Sequence, residues 1–374
     1  MSREDVLALA RQLKDAANCH DIPRLMAFYA EDAVAVSPMF NEVRGRASIA
    51  ATWERLFSML PDCALAVSDV LLDGDRLAII GAISATDRSG WFGLPATGGD
   101  ISYRVVVLCT LAAGKIVREE RIYDSLGVLE RLEKHAQDKE LRTAAEVQRV
   151  LLPRTAHVGP HCEATGDSVP CRAIGGDFFE FIELASGDFG IMLGDVAGKG
   201  APAALLAAML QGMFIVDAAV GESPALTLGR LNQRLMSRRP ESRFATLVYG
   251  VLSPDGRLVC SNAGHNPPAV LSQSGVRRLT AGGPPLGAFA DTVFEEETLQ
   301  LHARDTVVMF TDGITDARNA GEEDFGEDRL LACVTRHSSE SPLMLLGRLF
   351  HAVQEFCQGA RQGDDITAAI LRYR

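Results

Sequence analysis

Apolar positions recur at helical spacing over residues 3–19, where Val6, Leu9, Ala10 and Leu13 share one face. The same period predicts short helices over 22–30 and 48–60. The pattern then changes to strands. Residues 63–73 and 76–86 flank Asp73-Gly74-Asp75, a hairpin-turn sequence, and 101–112 and 115–123 flank Ala113-Gly114. Helices followed by an antiparallel meander predict an α+β unit over residues 1–127.

Residues 128–152 read differently. The stretch is charge-rich, and Leu141, Ala144, Ala145, Val147, Gln148, Leu151 and Leu152 give it a helical stripe. It is either a solvated helix between domains or a linker that pairs with a second chain. From Pro153 to residue 374 the Gly and Pro punctuation returns. Strands are predicted at 161–166, 177–184, 189–195, 244–252, 258–263, 268–272, 305–310 and 365–372, with long helices at 201–219, 224–237 and 342–357. Ser341 and Pro342 form an N-cap and first-turn pair for the last helix. Many strands with few long helices predict a layered sandwich.

Composition narrows the function. With 374 residues and 47% hydrophobic positions, two or three folded domains are expected. The formal net charge of -12 argues against nucleic acid as a partner, since that footprint is basic. Eight cysteines form no C-x-x-C pair, which predicts reduced thiols and a cytoplasmic protein. The apolar run from Ala201 to Val220 is interrupted by Pro202, Gln211, Gly212 and Asp217, so it reads as a buried helix and not a membrane span.

The candidate chemistry lies in aspartates at strand ends. Gly175-Gly176-Asp177 opens one strand, and Gly194-Asp195-Val196 closes another. Thr311-Asp312-Gly313 ends a third, and Gly363-Asp364-Asp365 opens the last. Strands can converge carboxylates on hard dications, which take oxygen ligands. Each motif alone is a common turn: Gly98-Gly99-Asp100, Asp73-Gly74 and Asp255-Gly256 repeat the same text elsewhere. The ordered set of four is what points to a metal site.

That set, with its neighbours, resembles a known family. The carrying residues are Val147 to Pro153, Gly175-Gly176-Asp177-Phe178, Gly194 to Gly200 and Asn262 to Pro268. Pro285-Leu286-Gly287, Thr311 to Asp316 and Asp364 to Thr367 complete the set. Residues from about 145 to 374 resemble the SpoIIE/RsbU branch of the PPM-type metal-dependent serine/threonine phosphatases. The resemblance implies an α-β-β-α sandwich and two divalent cations, Mn²⁺ or Mg²⁺. Asp195 would bridge both ions. Asp177 and the backbone carbonyl of Val196 would complete one shell, and Asp312 and Asp364 the other, with Asp365 as the alternative to Asp364. Arg172 and Lys199 are either phosphate contacts or surface cations, and His265 either shapes its loop or acts as a general acid.

Residues 1–127 resemble SnoaL-like domains, α+β cones of the nuclear-transport-factor-2-like superfamily. The text is His20 to Leu25, Gly45-Arg46, Gly114 to Val117 and Tyr123 to Leu129. Trp53, Trp91, Phe92 and Tyr103 would line an internal pocket or fill the core. Asp124 falls where polyketide cyclases of that class carry an acid, which marks it as a pocket residue. The expected organisation is therefore a SnoaL-like domain (1–127) that senses a small ligand or dimerises, a helical linker (128–152) and a PPM-type phosphatase domain (153–374). The resemblance implies a phosphorylated STAS-domain anti-sigma-factor antagonist as substrate and a homodimer, while the interrupted Ala201–Val220 run predicts no membrane partner. The alternatives are a catalytically silent scaffold, or a bifunctional chain with a cyclase- or isomerase-like front domain.

Overall fold

A computed structural model describes residues 3–91, 93–153, 156–238 and 244–374. The chain forms two compact units, Met1–Glu140 and Leu141–Arg374.

In the first unit, α1 (Arg3–Asn18) and α2 (Ile22–Met26) precede β1 (Tyr29–Ser37) and β2 (Asn41–Arg44). Then come α3 (Arg46–Met59), β3 (Ala64–Asp73), β4 (Arg76–Thr86), β5 (Asp100–Ala112) and β6 (Lys115–Ile122). The strands make one sheet in the order β2-β1-β6-β5-β4-β3. β1 lies parallel to β6, and the other neighbours are antiparallel. The helix predicted over 22–30 stops at Met26, because Tyr29, Ala33 and Ala35 are needed on the inner face of β1, where all three are buried.

The helix that follows, α4, runs from Ser125 to Leu151. The expected linker therefore does not start at residue 128. Val128 and Leu132 are buried in the first unit's core beside Trp91 and Tyr103. Asp124 is not a pocket residue either. It is exposed, and its Oδ1 accepts the Gly127 N–H at 2.9 Å, so the carboxylate caps the start of α4. Trp53 and Tyr103 do line the unit's cavity, whereas Trp91 is core. Phe92 lies outside the described residues.

The second unit continues with β7 (His157–Val158), β8 (Cys162–Val169), β9 (Phe178–Glu183), β10 (Phe189–Val196), α5 (Ala201–Ala218) and α6 (Pro224–Arg238). After these come β11 (Ala245–Leu252), β12 (Arg257–Ala263), β13 (Ala269–Ser272), β14 (Gly275–Arg278), β15 (Gly282–Gly283), β16 (Glu297–Gln300) and β17 (Thr306–Phe310). The chain closes with α7 (Asp312–Thr315), α8 (Gly326–Arg336), α9 (Pro342–Cys357) and β18 (Ile366–Tyr373). One sheet has the order β15-β12-β11-β10-β9, with β16 beside β12. The other has the order β14-β13-β17-β18-β8-β7.

Three apolar layers account for this stacking. Ile191, Leu193 and Val248 of the first sheet meet Val307, Met309 and Leu371 of the second in one buried cluster. Leu206, Leu210 and Phe214 of α5 with Leu228 and Leu231 of α6 cover the outer face of the first sheet. Leu330 of α8 and Leu345, Leu349 and Val353 of α9 cover the second. The result is helices, sheet, sheet, helices. The apolar α5 uses its inner residues for this packing, nine of them buried. Ser341 caps α9 as its sequence predicts, accepting the Met344 N–H at 3.4 Å. α8 is an element the strand-and-helix reading did not include.

Candidate metal centre

The four aspartates arrive at one edge of the two sheets. In the first sheet β9 and β10 are antiparallel, with Gly194 opposite Phe178, so Asp195 near the end of β10 lies beside Asp177 just ahead of β9. In the second, Phe310 pairs with Ala368, so Asp312 just after β17 lies beside Asp364 and Asp365 just ahead of β18.

Two glycines make this approach sterically allowed. A Cβ on Gly313 would stand 1.9 Å from the Asp365 carbonyl oxygen, and one on Gly176 would stand 2.9 Å from the Val196 carbonyl oxygen. Any side chain at either position would push the aspartate segments apart.

The charges in this cluster affect one another. Burial, and then the negative charge of Asp195, hold the Asp177 carboxyl well above the usual carboxylate range. Burial and Asp312 push Asp195 up to about 6. Burial and Asp364 raise Asp312. Carboxylates that disfavour one another's ionised form, with a backbone carbonyl beside them, are a donor set for a hard dication. Cys171 brings its sulfur within 4.8 Å of carboxylate oxygens of Asp364 and Asp365. Burial pushes that thiol up to about 11, so it stays protonated at neutral pH and is a poor donor to such an ion.

The adjacent pair Asp364 and Asp365 have separate tasks. Asp365 is buried; its Oδ1 accepts the Cys171 N–H and its Oδ2 the Gly176 N–H, each at 2.7 Å. Both of its oxygens are thus engaged by the loop that carries Asp177. Asp364 is 46% exposed, and its Oδ2 is 2.9 Å from the Lys199 ammonium. Lys199 also donates to the Gly363 carbonyl. Lys199 is therefore a partner of the carboxylate cluster and not a free surface cation. Arg172 is exposed, with Nη1 3.8 Å from where a Cβ on Gly200 would stand.

His265 is buried with both ring nitrogens engaged. Its Nε2 is 3.1 Å from the Phe310 carbonyl, which can only accept, so Nε2 carries the proton. Nδ1 then accepts from the Thr246 hydroxyl at 2.7 Å. Burial pushes its pKa down to about 4. Asn262 clamps the same loop, accepting the His265 N–H at 2.7 Å and donating to its carbonyl at 2.9 Å. His265 thus links Thr246, which faces Asp195 across the sheet, to the strand that leads into Asp312.

Sequence reasoning missed three supports. Thr311 donates its hydroxyl to Asp177 Oδ2 at 2.8 Å and accepts the Thr367 N–H at 3.1 Å. The Thr367 hydroxyl lies 2.7 Å from that of Ser168. Gln148, near the end of α4, exchanges two hydrogen bonds with the backbone of Gly175. The signal for Gln148 was its place as the polar member of an otherwise apolar stripe. Thr367 was legible as the residue two beyond Asp365, on the same face of the strand.

The comparisons agree with this architecture. Residues 185–374 match the model of Stage II sporulation protein E (SpoIIE), and residues 10–119 match the SnoaL-like domain model. Phosphoserine phosphatase RsbU of Bacillus subtilis is 28% identical over 237 residues, covering 62% of this chain and 70% of RsbU. Protein IcfG of Synechocystis sp. is 25% identical over 257 residues, covering 61% of this chain; the chain spans only 40% of IcfG. The SiaA-PP2C domain of Pseudomonas aeruginosa shares the fold, with a TM-score of 0.57 at 20% identity over 65% of this chain and 99% of that one. With the SpoIIE model matching half of its length, the chain belongs to the SpoIIE family, behind a SnoaL-like first domain.

Proposed function

We propose that the chain is a metal-dependent phosphoprotein phosphatase that hydrolyses phosphoserine or phosphothreonine. The observation that carries this reading is the convergence of the aspartates at one sheet edge, where the β9–β10 register sets Asp195 beside Asp177 and the β17–β18 register sets Asp312 beside Asp364. In this reading Asp177, Asp195, Asp312, Asp364 and the Val196 carbonyl hold two divalent cations, Mn²⁺ or Mg²⁺. When bound, two such ions supply a water of lowered pKa and offset phosphate charge during in-line attack.

The chain's own residues then position and exclude. Thr311 holds the Asp177 carboxylate by its Oδ2, and Asp365 holds the backbone of the loop before it. In this reading Lys199, held against Asp364, and the exposed Arg172 are the cations offered to the phosphate oxygens. His265 is neutral with both nitrogens used, so it shapes the site and is not the proton donor.

The test is phosphate release from a phosphoserine protein with Mn²⁺ or Mg²⁺ against a chelated control. Asp195→Asn and Asp312→Asn are each expected to lower turnover by about two orders of magnitude or more while leaving the fold intact. A near-normal rate in either variant would refute the ligand assignment. No metal-dependent release at all would favour the silent scaffold. The bifunctional alternative has little support, since Asp124 caps a helix and does not line the cavity.

The substrate in this reading is a phosphorylated STAS-domain anti-sigma-factor antagonist, dephosphorylated in the cytoplasm under control of the first domain. The eight free cysteines fit a reducing compartment. A homodimer belongs to the same reading; Val147, Val150 and Leu151 give α4 an exposed apolar edge on which a second copy would act. Sedimentation of the full chain at micromolar concentration tests it, and a monomer there would remove the dimer.

A further inference from the structure

Lys199 ties the two sheets together at the carboxylate cluster. It stands in the turn between β10 and α5, four residues after Asp195. Gly198 and Gly200 on either side of it have φ of 107° and 79°. Glycine adopts that backbone without steric cost, so the turn is tight and carries the lysine across to the second sheet. There its ammonium donates to the Gly363 carbonyl and lies 2.9 Å from Asp364 Oδ2. The other oxygen of that carboxylate, Oδ1, accepts the Asp365 N–H at 2.9 Å. Oδ2 is therefore the oxygen that Asp364 offers to a cation, and Lys199 holds it. Asp312, raised by burial and by Asp364, is drawn back toward its ionised form by the same ammonium. Lys199 thus neutralises the two carboxylates assigned above to the second ion.

An ammonium and a dication on one carboxylate oxygen would stand a few ångströms apart and repel each other. We propose that Lys199 is an internal competitor for the second divalent cation: it leaves Asp364 Oδ2 for a phosphate oxygen of the substrate as the cation takes its place. The two duties of the lysine are then sequential. While it is paired with Asp364 it weakens the second metal position. Once released it gains a partner of the same sign in the phosphate, whose oxygens accept from an ammonium as a carboxylate does. Substrate and second ion therefore favour each other, because each is bound more easily when Lys199 has left Asp364. The inference rests on the metal-dependent phosphatase reading, and its test separates the two.

Mn²⁺ is titrated into the full-length protein and followed by the electron paramagnetic resonance of the free ion, which gives sites and affinities without turnover. Two ions are expected, one bound more weakly. Lys199→Met keeps the length of the stem and removes the charge. It should tighten the weaker ion by about fivefold, the weight of one exposed ion pair. Lys199→Arg keeps the charge and should stay within about twofold of wild type. The phosphate side is read from p-nitrophenyl phosphate at saturating Mn²⁺, where Lys199→Met should raise KM by about fivefold. A lysine that merely supported the fold would weaken both when removed, so tighter metal with weaker phosphate in one variant is the signature. Two ions bound with unchanged or lower affinity in Lys199→Met, or equal tightening in Lys199→Arg, would overturn the competition and leave the phosphatase reading standing. An unchanged KM would overturn the handover to phosphate. No Mn²⁺ bound by the wild type would refute the metal reading, and the proposal with it. If Mn²⁺ binds and nothing is hydrolysed, the phosphatase reading falls and the Mn²⁺ affinities alone decide the competition.

Discussion

Gln148 and Gly175 exchange two hydrogen bonds: the Gln148 amide donates to the Gly175 carbonyl at 2.7 Å, and the Gly175 N–H donates to Gln148 Oε1 at 3.1 Å. Gly175 stands two residues ahead of Asp177, so the last turns of α4 fix the loop that carries a candidate metal ligand. The same turns are fastened a second time, where Gln211 Nε2 donates to the Leu151 carbonyl at 2.9 Å.

Gln148→Leu should therefore act on the metal site from outside it. It leaves a buried N–H and a buried carbonyl unpaired, a loss of about 1–3 kcal/mol for the loop. The Mn²⁺ concentration for half-maximal thermal stabilisation should rise by about tenfold. An unchanged metal midpoint would show that Asp177 is positioned without α4.

Asp364 and Asp365 should separate by phenotype. Asp365→Asn keeps one acceptor for two backbone donors, so it should destabilise the second unit by about 1–3 kcal/mol in urea unfolding. Asp364→Asn changes an exposed side chain and should move stability by no more than about 0.5 kcal/mol, yet lower metal-dependent turnover by about two orders of magnitude. The opposite ranking would transfer the ligand role to Asp365.

His265 gives a signed pH effect. Its folded-state pKa of about 4 lies below the ordinary 6.5. Below pH 6.5 the unfolded chain takes up a proton that the folded one refuses. The stability is full above about pH 6.5 and falls as pH drops toward 4, by up to about 3 kcal/mol. Urea midpoints of wild type minus His265→Gln across pH 4–7.5 isolate this term; a flat difference would mean the ring is not buried neutral.

Asp124→Ala should cost about 1 kcal/mol through loss of the α4 cap. Metal-dependent turnover should be unchanged. Calorimetry of the first transition, compared with the rate, checks both halves.

The second unit was legible in the sequence because its strands are apolar and its aspartates sit beside glycines at their ends. Strands such as Thr306–Phe310 are buried at every residue, which leaves the reading little freedom. β1 was missed because Glu31 and Asp32 interrupt its alternation, and only the tertiary fold shows Tyr29, Ala33 and Ala35 facing inward. The end of the first domain was misjudged because charged residues between Glu130 and Glu140 mask Val128 and Leu132, whose burial depends on Trp91 and Tyr103. The Asp364/Asp365 ambiguity required three dimensions: adjacent residues of the same type differ only in what surrounds them. The buried pair Glu119 and Arg121 was hidden for another reason, since alternating charges on a strand read as a solvated face until Tyr29 and Trp53 cover them.

The clasp between Gly176 and Asp365 joins residues 189 positions apart. On a ribosome adding about 5–20 residues per second, about 10–40 s separate their synthesis. Throughout that interval the loop bearing Asp177 lacks its anchor, and β17 and β8 lack β18, the strand that lies between them. The first unit draws on residues that emerge much earlier, so it has time to fold while the second waits with open strand edges. The carboxylate cluster is thus assembled after the domain in front of it has emerged.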